Sequence, residues 1–214
     1  MTYVKSPYIS HPSVATRQGR TTSLVAFHAL FLVYRATASG VIATYRSGGD
    51  GHVTAFLHRG DIFDLSKEGR YTNSAKALTP VTAYRIPLLA LQRLLPTDPD
   101  LNVDIIIKLC EELRQAQRHA FILARRRAVA RLAMFLGLQE HLQATRDKPI
   151  VEIRLGMDRS AIAEYLAMSL PHVSRAFRSL VADKIIFCRD LRHVKVLDRP
   201  ALEKLADSGL ARQS

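Results

Sequence analysis

The chain is poor in cysteine and has no long apolar run. Its 214 residues contain two cysteines, Cys110 and Cys188, too few for a disulfide framework, a structural zinc site or a four-thiolate iron–sulfur cluster. Such a count suits a reducing cytoplasm. The apolar run at residues 24–34 is too short to span a bilayer as a helix and contains His28. We therefore expect a cytoplasmic protein without a membrane segment, in preference to one carrying a secretory or import signal.

Catalytic and metal-binding motifs are also missing from the sequence. There is no glycine-rich phosphate loop, and no serine, cysteine or lysine lies in a recognisable nucleophile motif. The eight histidines are scattered, and we expect His119 and His141 to be solvent-exposed on helices. Haem binding through a histidine is the less favoured alternative. The sequence thus predicts neither an enzyme nor a bound cofactor.

Basic residues dominate the charge. Thirty-one Lys and Arg against 19 Asp and Glu give a net charge of +12, which favours nucleic acid over acidic lipid as a partner. Within the C-terminal part of the chain, positive charge gathers at residues 169–195, with six basic and two acidic side chains. An alternative is a ligand-sensing module that binds acidic membranes or proteins through this basic surface.

The residue pattern changes along the chain from strands to helices. Short β-favouring runs at 32–34, 41–45, 53–57 and 81–86, with a glycine-rich stretch at 47–51, predict a small antiparallel β domain over 1–97. Helical periodicity begins after Asp98-Pro99 and predicts a long helix over 98–127. A third domain, residues 128–214, begins with a second amphipathic helix at about 128–142.

Six apolar residues of the long helix follow alternating steps of three and four, which places them on one stripe. Such a stripe either packs on the chain's own β domain or pairs with a second copy. Because Ile105 and Ile107 offer apolar side chains on other faces, we favour a parallel homodimer. The predicted interface residues are Ile106, Leu109, Leu113, Ala116, Ala120 and Leu123.

Residues 159–178 fit the twenty-residue helix-turn-helix template. Asp158 and Ser169 are placed to cap its two helices, and apolar positions supply the inner faces. The outward side of the second helix is predicted to face the DNA major groove, where Arg175 can present two donors to a guanine. The alternative is a pair of packed helices with a solvated arginine face. The predicted base-reading residues are Pro171, His172, Ser174, Arg175 and Arg178.

A β-hairpin with a charged tip at 189–192 follows the motif and predicts a wing. Its basic side chains suit phosphate contacts, which position a protein without reading sequence. Cys188 either responds to oxidants near DNA or, as we favour, packs as a small hydrophobe. The predicted phosphate-binding residues are Lys184, Arg189, Arg192 and Lys195.

A β domain, a long helix and a C-terminal winged helix-turn-helix, in this order, resemble the CRP/FNR family of bacterial transcription regulators over residues 31–207. The resemblance rests on the runs 159–166 and 173–175 and on Gly40, Gly51 and Gly60-Asp61, while residues 112–119 are similar to the FixK branch. It implies an α+β fold with a β-roll like that of cyclic-nucleotide-binding domains. It also implies a homodimer on palindromic double-stranded DNA, activation through RNA polymerase, and control of low-oxygen respiration or nitrogen-fixation genes.

Several positions depart from the family pattern. The family's phosphate-binding triplet Arg-Ser/Thr-Ala is replaced by Asn-Ser-Ala at 73–75, so we do not expect cyclic-AMP sensing unless Arg70 substitutes. The N-terminal cysteines of the oxygen-sensing members are absent. Pro171 stands where a glutamate commonly reads cytosine, which implies a different half-site preference. Ala167 replaces the usual turn glycine, at some backbone cost.

Overall fold

The structure is a computed structural model of the chain and describes residues 13–15, 33–46, 52–63, 73–144 and 150–208. The chain divides into two compact units, with the boundary between Arg114 and Gln115 inside one long helix. The described elements are β1 (Ser13–Ala15), β2 (Val33–Ser39), β3 (Ile42–Arg46), β4 (Val53–Leu57), β5 (Ile62–Phe63), β6 (Asn73–Ala77), β7 (Val81–Pro87), α1 (Leu88–Leu94), α2 (Pro99–Leu123), α3 (Ala128–Gln143), β8 (Ile153–Arg154), α4 (Arg159–Tyr165), α5 (Leu170–Ala182), β9 (Ile186–Cys188), β10 (His193–Val196) and α6 (Arg199–Asp207).

Two antiparallel sheets build the first unit, with strand orders β1-β7-β2-β5 and β4-β3-β6. The predicted pairing of β3 with β4 is confirmed, with Ile42 opposite Leu57, although the glycine-rich stretch 47–51 lies outside the described residues. One buried cluster combines side chains of β3, β4 and β6 with Val81 of β7. Because this apolar cluster draws on both sheets, it holds the β-roll together.

Two of the glycines that carry the family resemblance, Gly40 and Gly60, lie in tight turns of the first unit. Gly40 has φ +86°, and a Cβ there would lie 2.3 Å from the Pro80 carbonyl oxygen, so only glycine fits. Gly60 has φ +89°, and the following Asp61 accepts a 2.8 Å hydrogen bond from the backbone N–H of His58. The backbone geometry alone therefore accounts for these glycines.

Helix α2 begins as its sequence predicts. The Asp98 carboxylate accepts a 3.0 Å hydrogen bond from the backbone N–H of Leu101, and Pro99 occupies the first turn. Of the apolar stripe, Ile106 and Leu113 are 59% and 60% exposed, Leu109, Ala116 and Ala120 are also exposed, and Leu123 is half-buried. The stripe is thus largely open to solvent and does not form the core of the chain's own β domain.

Helix α3 forms the centre of the second unit. Leu132, Phe135 and Leu136 are fully buried, because α5, α6 and β8 all pack on this helix. It is therefore enclosed on more sides than the predicted amphipathic pattern implied. Strands β8, β10 and β9 form a three-stranded sheet beside it. Across the described ranges, no helix is both long and apolar enough to cross a membrane.

Candidate nucleic-acid interface

Helices α4 and α5 form the predicted helix-turn-helix. Ile162 on the first helix and Leu166 directly after it are completely buried, as are Val173 and Leu180 on the second helix. Ala163 is 4% exposed at the crossing, where a larger side chain would separate the helices. The apolar positions identified in the sequence thus form the shared inner face, and the opposite side of α5 remains available for a ligand.

The two predicted helix caps differ in outcome. Asp158 caps α4, because its carboxylate accepts a 2.8 Å hydrogen bond from the Ala161 backbone N–H. Ser169 occupies the N-cap position of α5 as predicted, but the predicted side-chain cap is wrong, since its hydroxyl pairs with Nδ1 of His172 at 2.7 Å instead. Pro171, at the second position of α5, removes one of the two backbone N–H groups from which an N-cap side chain can accept, and the hydroxyl bonds to the histidine ring.

The turn between α4 and α5 has the strained backbone that the sequence predicts. Ala167 has φ +49°, a left-handed conformation that glycine adopts more readily than alanine. The next residue, Met168, donates a 2.9 Å backbone hydrogen bond to Ala163. This backbone hydrogen bond closes the tight turn that leads from α4 into α5.

The outward side of α5 is polar and exposed, as predicted. Pro171, His172, Arg175 and Arg178 are exposed, and Ser174 is half-buried. No hydrogen bond or ion pair links the Arg175 side chain to another of the described residues. Its guanidinium is therefore available for two parallel hydrogen bonds to a planar acceptor pair such as the O6 and N7 atoms of guanine.

Strands β9 and β10 form the wing, whose tip is fixed by Asp190. This carboxylate accepts hydrogen bonds from the backbone N–H groups of Arg192 and His193 at 2.7 and 2.9 Å. The bond from Arg192, followed by the His193 side chain, lowers the pKa of Asp190, so the carboxylate stays ionised. The tip therefore holds its shape while Arg192 remains exposed to a partner.

The four predicted phosphate-binding residues have different surroundings. Lys184, Arg192 and Lys195 are exposed, and Lys184 has φ +55° just after α5. Arg189 lies 3.3 Å from Glu152, so an acidic neighbour already offsets part of its charge. Arg189 is for this reason the weakest of the four candidates.

Cys188 is half-buried in β9 beside Arg159 of α4. The guanidinium of Arg159 also lies 3.1 Å above the ring of Phe177, which joins the start of α4 to α5. Burial raises the pKa of the Cys188 thiol, and the nearby Arg159 charge opposes that rise. The thiol form is therefore favoured at neutral pH, which suits a packing residue better than a reactive one.

His119 is the main error of the sequence interpretation. It was predicted to be exposed on α2, but it is 9% exposed, and its Nε2–H donates a 2.7 Å hydrogen bond to the Tyr165 carbonyl. Its ring stacks on Tyr165 at 3.9 Å, and burial raises the pKa of the Tyr165 phenol to about 12. The sequence offers a signal, because His119 lies three residues before Ile122 and four before Leu123, which places it at the edge of the apolar stripe.

Comparison with known proteins agrees with this architecture. Residues 130–205 match the model of the Crp-like helix-turn-helix domain. The chain is 31% identical over 170 residues to the nitrogen fixation regulation protein FixK of Azorhizobium caulinodans, covering 78% of this chain and 68% of that relative. The chain belongs to the CRP/FNR family. Within that family it is a DNA-binding transcription regulator of the FixK-like branch, and not an enzyme.

Further relatives of this CRP/FNR regulator are consistent with that assignment. The fumarate and nitrate reduction regulatory protein of Yersinia pestis is 28% identical, covering 80% of this chain and 70% of the relative. The structure of FixK2 from Bradyrhizobium japonicum superposes with a TM-score of 0.77 at 23% identity, covering 92% of this chain and 98% of that one. The predicted α+β fold of β-roll, long helix and winged helix-turn-helix is confirmed.

Proposed function

We propose that the regulator acts as a homodimer on a two-fold symmetric DNA site. The observation that carries this proposal is the outward side of α5, where Arg175 and Arg178 are exposed above a fully packed inner face. In this arrangement Arg175 of each subunit enters a major groove and bonds to guanine O6 and N7. Pro171, His172, Ser174 and Arg178 complete the contact with base edges and the groove wall.

The wing and the residue after α5 supply the sequence-independent part of binding. Lys184, Arg192 and Lys195 are exposed cations close in sequence to the groove-facing helix, and they contact phosphates on either side of the groove. Arg189 adds a weaker contact because Glu152 competes for it. These residues provide affinity and register, while α5 provides discrimination between sequences.

Homodimer formation is assigned to the apolar stripe of α2, through Ile106, Leu109, Leu113, Ala116, Ala120 and Leu123. An exposed stripe at heptad spacing on a 25-residue helix suits a parallel pair of helices. Two copies related by such a pair present their α5 helices to major grooves about 34 Å apart. A palindromic site follows from that symmetry.

The physiological role is proposed from the relatives' names. One relative is a nitrogen fixation regulation protein and another a fumarate and nitrate reduction regulatory protein. We infer that this regulator activates genes for low-oxygen respiration or nitrogen fixation by contacting RNA polymerase. Transcription from the bound promoter with purified polymerase should rise when the regulator is added, and a fall would assign repression instead.

The test of the DNA-binding proposal begins with selection of bound fragments from a random duplex pool, with and without air. We expect a two-fold symmetric site. Arg175→Ala should then lower affinity for the selected site by about tenfold or more per half-site, with little change on scrambled DNA.

Lys184→Ala is the matched control, since it removes one exposed cation outside the groove-facing surface. It should weaken binding to all sequences alike and reduce the salt dependence by about one unit of slope per contact. If Arg175→Ala weakened specific and scrambled binding equally, base recognition by Arg175 would be wrong.

A further inference from the structure

The ends of α2 and α4 meet beside α3 in the second unit. The last carbonyls of a helix have no partner within the helix and must find donors elsewhere. Three consecutive carbonyls at the end of α4 do so through side chains of other helices. Tyr165 accepts from Nε2 of His119 at 2.7 Å, and Leu166 and Ala167 accept from Nη1 of Arg131 at 3.0 and 3.2 Å.

Arg131 also binds the end of α2. Its Nη2 donates to the Leu123 carbonyl at 3.1 Å, and its Nε donates to the Arg125 carbonyl at 2.7 Å. One guanidinium on α3 thus bridges the C-terminal ends of two helices, where the helix dipoles concentrate negative charge. We call His119 and Arg131 together the helix-end clasp.

The clasp restricts the orientation of the bonded groups as well as the distances between them. The His119 and Tyr165 rings are nearly parallel, with an interplanar angle of 10°, and Tyr165 in turn packs against Phe135 of α3. His119 and Tyr165 are 9% and 5% exposed, so water does not readily replace their hydrogen bond. A planar guanidinium with four carbonyl partners likewise tolerates little rotation.

This geometry connects α2 to the groove-facing helix. Residues 166–169 alone separate α4 from α5, and the clasp holds the first two of them. His119 and Arg131 therefore contribute to the direction of α5 relative to the C-terminal part of α2, together with the packing of α5 on α3. In a pair of subunits joined along α2, the same direction sets how far apart the two α5 helices lie.

We propose that His119 and Arg131 are positioning residues that determine which separation of the two DNA half-sites the regulator accepts. The proposal rests on the homodimer described above. It assigns no DNA contact to either residue, since both act through the direction of α5. The expected signature is a loss of selectivity for half-site separation, while recognition within each half-site is retained.

The experiment uses the full chain and a series of duplexes that carry the selected half-sites with the central spacer unchanged, or longer or shorter by one or two base pairs. Each base pair moves the half-sites by about 3.4 Å and rotates them by about 35°. The unsubstituted protein should prefer its best spacer by about tenfold over its neighbours. His119→Phe keeps a ring against Tyr165 but cannot donate, so the preference should fall to about threefold or less.

Two further variants separate positioning from general stability. His119→Gln restores a donor without the ring and should recover most of the spacer preference. Arg131→Lys keeps the charge but loses the planar set of donors, and it should flatten the preference as His119→Phe does. His141→Phe, the same change at an exposed position on α3, is the matched control and should leave the preference unchanged.

The outcomes are distinct. If His119→Phe keeps the full spacer preference, or lowers affinity by the same factor at every spacer, the positioning proposal is overturned, since the second pattern is that of a merely structural residue. If the unsubstituted protein binds single half-sites as well as any paired site, the homodimer proposal fails, and the clasp proposal fails with it.

Discussion

Replacing Leu113 by glutamate should separate the two subunits of the proposed homodimer. Leu113 is 60% exposed in the middle of the apolar stripe, with Leu109 and Ile106 one and two turns before it at 43% and 59%. Burial of a leucine side chain contributes about 1.5–3 kcal/mol. Because only the exposed 60% of Leu113 remains to be buried in each copy, the dimer loses about 2–4 kcal/mol, or roughly 30- to 10³-fold in its dissociation constant. Repulsion between the two carboxylates adds to the loss.

Sedimentation equilibrium or light scattering across a range of protein concentrations measures this change directly. Ile107→Glu is the matched control, because Ile107 is 46% exposed on the same helix but lies on a different face from the stripe. The control protein should remain a dimer and should still select a two-fold site. The Leu113→Glu protein should be monomeric at concentrations where the unsubstituted protein is dimeric.

Two results would refute this reasoning. A Leu113→Glu protein that stays dimeric would exclude the stripe as the subunit interface. Equal dissociation of the Leu113→Glu and Ile107→Glu proteins would show that any added negative charge on α2 weakens association, whichever face carries it. Loss of the two-fold DNA site should accompany dissociation, because a monomer engages only one half-site.

The remaining predictions concern two residues of the helix-turn-helix. Burial raises the pKa of Tyr165 from 10.0 to about 12, so its stabilising effect is complete below pH 10 and lost as pH rises through 12. Chemical unfolding should show a fall of roughly 3 kcal/mol over that interval relative to Tyr165→Phe, and parallel pH profiles would contradict it. Ala167→Gly should relieve the strain of φ +49° and raise the unfolding free energy by about 1 kcal/mol, seen by calorimetry as a Tm higher by about 2–4 °C. An unchanged or lower Tm would show that the turn carries no strain.

Much of the helix-turn-helix was predictable because its determinants are local. The inner face is defined by apolar residues at helical spacing, such as Ile162 and Leu166, and a cap such as Asp158 needs only a residue three positions along the chain. The paired strands β3 and β4 followed equally from their β-favouring residues and from the glycine-rich stretch between them. Short-range patterns of this kind survive in the folded protein because the tertiary contacts agree with them.

The clasp was not predictable because its partners are distant in sequence. His119 and Tyr165 are 46 positions apart, and Arg131 reaches carbonyls 35 and 36 positions away. The carbonyls at a helix end lack partners within the helix whatever their side chains are, so the residue types do not indicate which side chain will bind them. Ser169 lacks its predicted capping bond for a different, local reason, since the side chain of His172, three residues away, takes the hydroxyl.

The conformation of Ala167 depends both on its local turn and on contacts from residues distant in sequence. A left-handed turn is usually secured by glycine, and here an alanine with φ +49° holds the same conformation at a cost. The carbonyl of that residue accepts a hydrogen bond from Arg131, and its neighbour's carbonyl accepts another from the same guanidinium. A strained backbone persists only where its surroundings over-determine it. The turn that aims α5 is therefore specified by contacts from α2 and α3 more than by its own residue type. Relaxing the turn with glycine should for that reason change stability while leaving the preferred half-site separation intact, whereas breaking the clasp should change the separation first.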